Sequence, residues 1–557
     1  MSWFDWLIVF ALNGSVIVYG FLLARGAKTS EDWFLGHRSL AWWAIGLSMF
    51  ATNVDNADLV SLTGTTYKEG MHIIMVHSLG ALVGASFAAF FLVPAMARAG
   101  HFTNAEYLEA RYGPVSRVLS AVIQIQYRSS MLGLMIWSLY LLMTGFLGLA
   151  TWSAWILIVA IVIFAAVYTS LGGLKSVVMT DALQGIIMFF GVAIIFATVW
   201  NEAGGWSGML RTLDEIELAS GASADDLAQI GSYRGDRGET SPIIVAIGWL
   251  IIALGYWSVN HSQTMRLSGA RSIWDMKMAA IFGATISMPI MVGCASIGLF
   301  GRALFPEFKS PDQLYPHMAG LYLGPGLKGM VVASIVAASI STFDSMGSSL
   351  SALFTRDIYA RLIAKRREDA HYVMVSRWAT FVIMALGFAY LPFIGSKQTM
   401  LQAFLTLIPV FVTPLFAVYA IGLFTRASRK AGIAGIALGA AYGVVALIDR
   451  EVVDLSALAP WFTGRWVALL WAILFSSTGA LLATIWFGRC PADLMSQRID
   501  DATSHDQTAN WLDESSRALS KIPEHPFEHP PGRWLCPETF AVVLIGATAF
   551  ILFRFFW

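Results

Sequence analysis

The chain has 557 residues, 57% of them hydrophobic and only 13% charged, against about 25% charged in an ordinary soluble domain. Its 36 Lys and Arg are matched by 36 Asp and Glu, which argues against nucleic acid as a partner. The three cysteines, Cys294, Cys490 and Cys536, have neither metal-ligand spacing nor the density of a disulfide framework.

Apolar residues gather into fourteen blocks, at about 4–24, 40–64, 72–98, 116–147, 152–171, 175–200, 241–262, 276–303, 325–361, 370–395, 400–424, 429–448, 464–487 and 537–557. A run of about 20 apolar residues spans a hydrocarbon core about 30 Å thick. The expectation is an all-α membrane protein of about 14 transmembrane helices. The first block lacks a basic n-region and a small-residue cleavage site, so it reads as a retained helix. Basic residues accumulate in cytoplasmic loops. They crowd the loops that an outside amino terminus places inside, among them Arg25, Lys28 and Arg38, Arg266, Arg271 and Lys277, and the run from Arg356 to Arg377. With fourteen spans the carboxyl terminus is then also outside, in an inner (plasma) membrane. Two polar stretches interrupt the pattern: 201–240, read as an outside loop with short helices, and 488–536, read as an inside linker.

Ionisable and polar residues inside spans are functional hypotheses by default, because they are costly there. In the second block, Thr52, Asn53, Asp55, Asn56 and Asp58 follow the apolar run that ends at Phe50, and Gly64 comes after them. Such an insertion suits a helix that breaks at mid-membrane and frees carbonyls and amides for ligands. The bland alternative is a continuous helix with a polar packing face. In the fourth block, Arg128 sits about 18 Å into its helix at 1.5 Å per residue. It needs Asp55, Asp58 or a substrate carboxylate as partner, or it forms a purely structural ion pair. Asp181 enters the sixth span with Gln184 one turn later, either reaching a neighbouring helix or capping its own. In the ninth block, Ala338, Ser341, Thr342 and Ser345 share a face, with Asp344 beside them. Oxygen ligands suit a hard cation, while small residues at that spacing also serve close helix packing. Asp344 tips the reading toward an ion.

Six stretches resemble the sodium:solute symporter family, whose members include sodium/glucose, proline and sialic acid cotransporters. They are FATNVDNADLVSLTGTTYKEG at 50–70, GHFTNAEYLEARYG at 100–113, YTSLGGLKSVVMTDALQG at 168–185, YWSVNHSQTMRLSGARS at 256–272, AASISTFDSMGSSLSALFTRDIY at 337–359 and GLFTRASRKAG at 422–432. The resemblance implies a leucine-transporter-type fold with two inverted five-helix repeats. An extra helix and inside loop (1–39) would precede the first repeat (40–200). The outside loop (201–240) and second repeat (241–424) would follow, then two accessory helices (425–487), a cytoplasmic loop (488–536) and a last helix (537–557).

The same resemblance implies sodium as coupling ion. Its principal site would use carbonyls of Ala51, Val54 and Ala338 and hydroxyls of Ser341 and Thr342. A second sodium would use Asp181, Ser341, Asp344 and Ser345, although Asp344 replaces a hydroxyl of the best-described members. Substrate would meet Asn53, Asn56, Asp58, Ser78, Asn260 and Thr406, with Arg128 similar to an arginine that receives a carboxylate in sialic acid carriers. Asp58 stands where sugar carriers have an amide, Ala57 and Ser78 replace acidic sugar contacts, and Ile286 stands near their lysine. The expected function is sodium-coupled symport of a small polar solute by alternating access, a sugar or polyol first. Alternatives are a carboxylate, amino acid or other zwitterion or amine on the same fold, and a transporter-like sensor. The expected partners are that solute, sodium ions and the lipid bilayer, in a monomer or weak homo-oligomer. No nucleophile with a base, metal triad or phosphate-binding glycine loop suggests an enzyme.

Overall fold

A computed structural model of the chain describes residues 1–24, 30–217, 227–228, 241–365, 367–397, 399–453, 459–490, 523–524 and 536–556. Most of the expected linker 488–536, and residues 218–226 and 229–240 of the other polar stretch, lie outside these. Among the described residues the chain is helical, with one isolated bridge between Leu40 and Ala270 and no strand.

Helix α1 (Trp3–Ala24) precedes a broken pair, α2 (Trp42–Asn53) and α3 (Asn56–Glu69). Next come α4 (Met75–Phe87), the short α5 (Asn104–Tyr112), α6 (Pro114–Gly145), α7 (Thr151–Leu171) and α8 (Leu174–Glu202). A second broken pair, α9 (Pro242–Val259) and α10 (His261–Ser268), leads into α11 (Ile273–Leu304), α12 (Leu327–Leu353), α13 (Asp369–Leu386) and α14 (Met400–Phe424). Three further helices follow: α15 (Ala431–Ile448), α16 (Val467–Phe487) and α17 (Pro537–Phe555). Short connecting helices, such as Gly205–Glu217 in the expected outside loop, carry no label.

Twelve of the described helices are long and apolar enough to cross a membrane. The two other expected blocks are the broken pair α2/α3 and the 32-residue α6, whose apolar run is diluted by Gln124, Gln126 and Arg128. Apolar side chains such as Trp152, Trp378, Ile485 and Val542 face outward, as a lipid-facing surface requires. Helix α12, with its continuation to Ile363, is the most enclosed of the twelve. Its serines, Ser334, Ser339, Ser341, Ser345, Ser348, Ser349 and Ser351, are all inside. Small residues of this kind let helices approach closely where no hydrophobic drive separates inside from outside.

Helix ends meet in two groups. Asp5 at the start of α1 accepts from the backbone N–H of Gly326 (2.7 Å) and Gly329 (3.0 Å) where α12 begins, and Lys397 pairs with Glu451. At other helix ends, Arg98 pairs with Glu524 (3.0 Å) and Lys277 with Glu538 (2.6 Å). These pairings join ends that a fourteen-span chain places on the same side.

A buried charge cluster ties α5, α6 and the end of α12. Arg117 reaches Glu106 (3.1 Å), Glu109 (2.7 Å) and Asp357 (2.5 Å), and Arg356 reaches Glu106 (3.0 Å). The same short helix α5 sends Asn104 Nδ2 to the carbonyl of Val259 (2.6 Å), the last residue of α9. A loop helix thus braces the second break. Burial works against ionisation of Glu106, but Arg356 and Arg117 hold its carboxyl down to about 2 from an ordinary 4.5. A carboxyl lowered in this way stabilises the fold above pH 4.5 and loses that contribution as pH falls toward 2. Removing one partner of a buried charge network costs about 3–5 kcal/mol. Glu106→Gln therefore lowers thermal stability in detergent, and the wild-type protein loses more stability than the variant between pH 4.5 and 2.

Candidate functional site

The first break is built by local capping. Val54 (φ −110°, ψ 117°) and Asp55 (φ −129°, ψ 179°) are extended between α2 and α3. Asp55 Oδ1 accepts from the N–H groups of Ala57 (2.8 Å) and Asp58 (3.1 Å), and Asp58 Oδ2 accepts from Asp55 N–H (3.2 Å). This reciprocal capping box satisfies the first amides of α3. It also diverts the two N–H groups that a continuous helix would have aimed at Ala51 and Val54. Their carbonyls stand outside the helical ladder, and Ser341 Oγ lies 3.4 Å from Ala51 O. At the second break Asn260 plays a matching part, its Oδ1 accepting from Ser262 N–H (3.1 Å).

The residues expected at the principal sodium site are all buried: Ala51, Val54, Ala338, Ser341 and Thr342 are at most 1% exposed. Ser341 brings α12 to the break. Its hydroxyl also donates to Asp181 Oδ1 (2.7 Å), and Thr342 donates to Ala338 O (3.0 Å). The freed carbonyls and these two hydroxyls are the hard oxygen donors that suit a sodium ion.

The set expected for a second sodium divides. Asp181, Ser341 and Ser345 meet, but Asp344 receives the Thr169 hydroxyl from α7, and its Oδ2 is buried without a hydrogen-bond partner. Beside Asp181 stands a residue that the charge-counting argument had placed in an inside loop. Arg266 of α10 is 1% exposed and pairs with Asp181 Oδ2 at 2.8 Å. It donates through Nε to Ser48 (2.7 Å), through Nη1 to the Ser262 carbonyl (2.5 Å), and through Nη2 to Ser345. Its count as a topology marker is corrected, because the break at Asn260 turns α10 into the interior. Two unit charges about 4 Å apart repel by about 4 kcal/mol at an effective dielectric of about 20. A second ion on Asp181 meets that cost.

A cavity of about 110 Å³ opens beside the first break. Of the expected substrate residues it is lined by Asn53, Asp58 and Arg128, together with Asp55. Asn56, Ser78, Asn260 and Thr406 do not line it: Asn56 donates to Met135 O (3.1 Å), and Thr406 to Gln402 O (2.7 Å). The walls that sequence reasoning missed are His77, Trp249, Trp257 and Phe404. In-span aromatic residues look like lipid-facing or core filler until the helix crossing is known. Tyr127 and Tyr256 also line the cavity, and Arg128 lies against their rings, 6.0 and 5.7 Å from the centroids. Arg128 is 4% exposed, its Nε is buried without a hydrogen-bond partner, and it makes no ion pair among the described residues. The structural ion pair that is the alternative for it does not form among the described residues. Asp55 Oδ2 and Asp58 Oδ1 are likewise uncommitted, since the capping bonds use the other oxygen of each.

Residues 33–439 match the model of the sodium:solute symporter family, so the chain belongs to that family of sodium-coupled transporters. It is 27% identical over 465 residues to the sodium/glucose cotransporter of Vibrio parahaemolyticus, covering 78% of this chain and 83% of that one. It is 25% identical over 546 residues to sodium/myo-inositol cotransporter 2 of Rattus norvegicus, covering 89% and 79%. Among solved structures, a sodium-coupled sialic acid symporter in a substrate-bound outward-open state superposes with a TM-score of 0.75 at 21% identity, covering 88% of this chain and 98% of that one. A closed nucleobase-cation-symport-1 family transporter gives 0.53 at 12% identity, covering 85% and 99%. The fold is of the leucine-transporter type, with the two broken pairs opening its inverted halves.

Replacing an N-cap carboxylate by alanine costs about 0.5–2 kcal/mol. Asp55→Ala is expected to lower the unfolding midpoint in detergent, whereas Asp55→Asn, which keeps a capping oxygen, stays close to wild type.

Proposed function

We propose that this symporter takes up a small zwitterionic solute together with sodium, in a plasma membrane and with both chain termini outside. One observation carries the solute class. Arg128 is buried on the cavity wall with no carboxylate in ion-pair range among the described residues, while Asp55 and Asp58 keep free oxygens in the same cavity. Asp55 acts on Arg128 only through space across the cavity, without a hydrogen bond to it; a buried guanidinium so loosely paired is costly, and a ligand carboxylate is the group that relieves it, by a fork of charge-assisted hydrogen bonds. Asp58 and Asp55 then suit the amine, and the aromatic walls suit its alkyl part. A neutral sugar or polyol is the second reading. It is favoured by the names of the relatives, which carry glucose and myo-inositol, but it leaves Arg128 without a hydrogen-bonded anion.

Sodium on Ala51, Val54, Ala338, Ser341 and Thr342 would bridge the broken helix to α12. That bridge favours one arrangement of the two halves, which is what coupling demands: a ligand of equal affinity for both states shifts nothing. A potential of 100 mV contributes about 2.3 kcal/mol per sodium that crosses, which drives the cycle inward. Alternating access then follows from rocking of one repeat against the other.

The test is thermal stabilisation of purified protein, with and without sodium, against amino acids, carboxylates, amines, sugars and polyols. The zwitterions are expected to stabilise only in sodium. Arg128→Ala should lose them, Asp58→Asn should lose amine-bearing solutes alone, and a neutral sugar that binds wild type and both variants equally decides for the second reading. Ser341→Ala and Thr342→Ala should each raise the sodium concentration needed for half-maximal uptake about tenfold, or about 1.4 kcal/mol. Unchanged sodium dependence in both would remove the ion assignment.

A further inference from the structure

We propose that Arg266 is a tethered cation standing where a second sodium would otherwise sit, so that the chain binds a single sodium ion. This inference rests on the sodium-coupled reading above and deepens it. Both oxygens of Asp181 are committed, Oδ1 to the Ser341 hydroxyl (2.7 Å) and Oδ2 to Arg266 Nη2 (2.8 Å) and the Ser48 hydroxyl (2.7 Å). Ser345, the other hydroxyl that would complete an ion shell, receives the same guanidinium. The guanidinium cannot step aside: its Nε and Nη1 are held by Ser48 and the Ser262 carbonyl, and the residue is 1% exposed. Asp344, the remaining expected ligand, is turned to Thr169.

The chemistry of the site is therefore that of a satisfied ion pair. A sodium ion entering between Asp181 and Ser345 would trade a fixed cation for a mobile one and meet repulsion from the first. The pair has a positive use as well. Arg266 belongs to α10, Asp181 to α8, and Ser341 to α12, so the break at Asn260 is clamped onto the helix that offers ligands to the principal ion. Asp181 accepts the Ser341 proton and leaves the lone pairs of that hydroxyl for sodium. Arg266 thus acts on the principal site as a positioning residue, through Asp181 and Ser341.

Equilibrium binding of radioactive sodium to the purified full-length chain in detergent counts the sites directly. Wild type is expected to saturate at one ion per chain with a Hill coefficient of one. Arg266→Gln, checked for a monodisperse folded peak, is expected to rise to two ions, because Asp181 and Ser345 become available. Wild type saturating at two ions overturns the proposal, and so does a folded Arg266→Gln variant that stays at one. Where Arg266→Gln does not fold, the wild-type count decides alone. Ser341→Ala combined with Thr342→Ala separates this proposal from the reading beneath it. That double variant should bind no sodium, and a wild type that binds none at all removes the sodium reading itself.

Discussion

Everything at the centre of this molecule depends on two carboxylates capping one half-helix. Asp55 and Asp58 exchange hydrogen bonds with each other's backbone, and in doing so they stop α2 and start α3 inside the bundle. A helix interrupted in a non-aqueous interior must find partners for its orphaned amides and carbonyls. Here the amides are satisfied by the capping box, and the carbonyls of Ala51 and Val54 are left as a pair of hard donors. The donor character of the interruption follows from which half of the broken ladder is repaired locally, and it is what the proposed sodium site rests on.

Buried charge is treated in three ways around that site. The cluster of Glu106, Arg117, Arg356 and Asp357 is internally paired and anchors helix ends. Asp181 and Arg266 form a pair within the bundle and stiffen the second break against α12. Arg128 stands apart from both, against aromatic rings and with no carboxylate within ion-pair distance among the described residues, Asp55 acting on it only through space. A protein interior tolerates closely paired charges and resists loosely paired ones, which is the ground for the proposed carboxylate of the solute. The same reasoning separates the roles of the two in-bundle arginines, which composition alone would group together.

Part of this was legible in the chain. Asp55 and Asp58 stand three residues apart, the spacing of a capping box, and Thr52, Asn53 and Asn56 surround them, so the break could be read from local rules. Ser341, Thr342 and Ser345 fall on one helical face by periodicity alone. Block length and loop charge alone place Arg266 in a loop. The signal that it lies inside was Asn260, whose side chain caps α10 as Asp55 caps α3. Trp249 and Phe404 give no signal, since an apolar aromatic residue in an apolar run has the same hydropathy whether it faces lipid, core or cavity; His77, an ionisable residue inside the third block, carries the signal of an in-span polar group.

The sequence by itself determined that the chain crosses a membrane many times, where the first inner helix breaks, and which hydroxyls share a face of α12. Those properties follow from transfer of side chains out of water and from hydrogen bonds between near neighbours, both local. Only the tertiary structure decided that Asp181 takes Arg266, 85 positions away, while Arg128 has no carboxylate within ion-pair distance among the described residues. It also decided that Asn56, Ser78, Asn260 and Thr406 fall off the cavity wall. The physical reason is that a buried polar group is stabilised by whichever partner the helix crossings bring within hydrogen-bond reach, and no local rule sets where two helices cross.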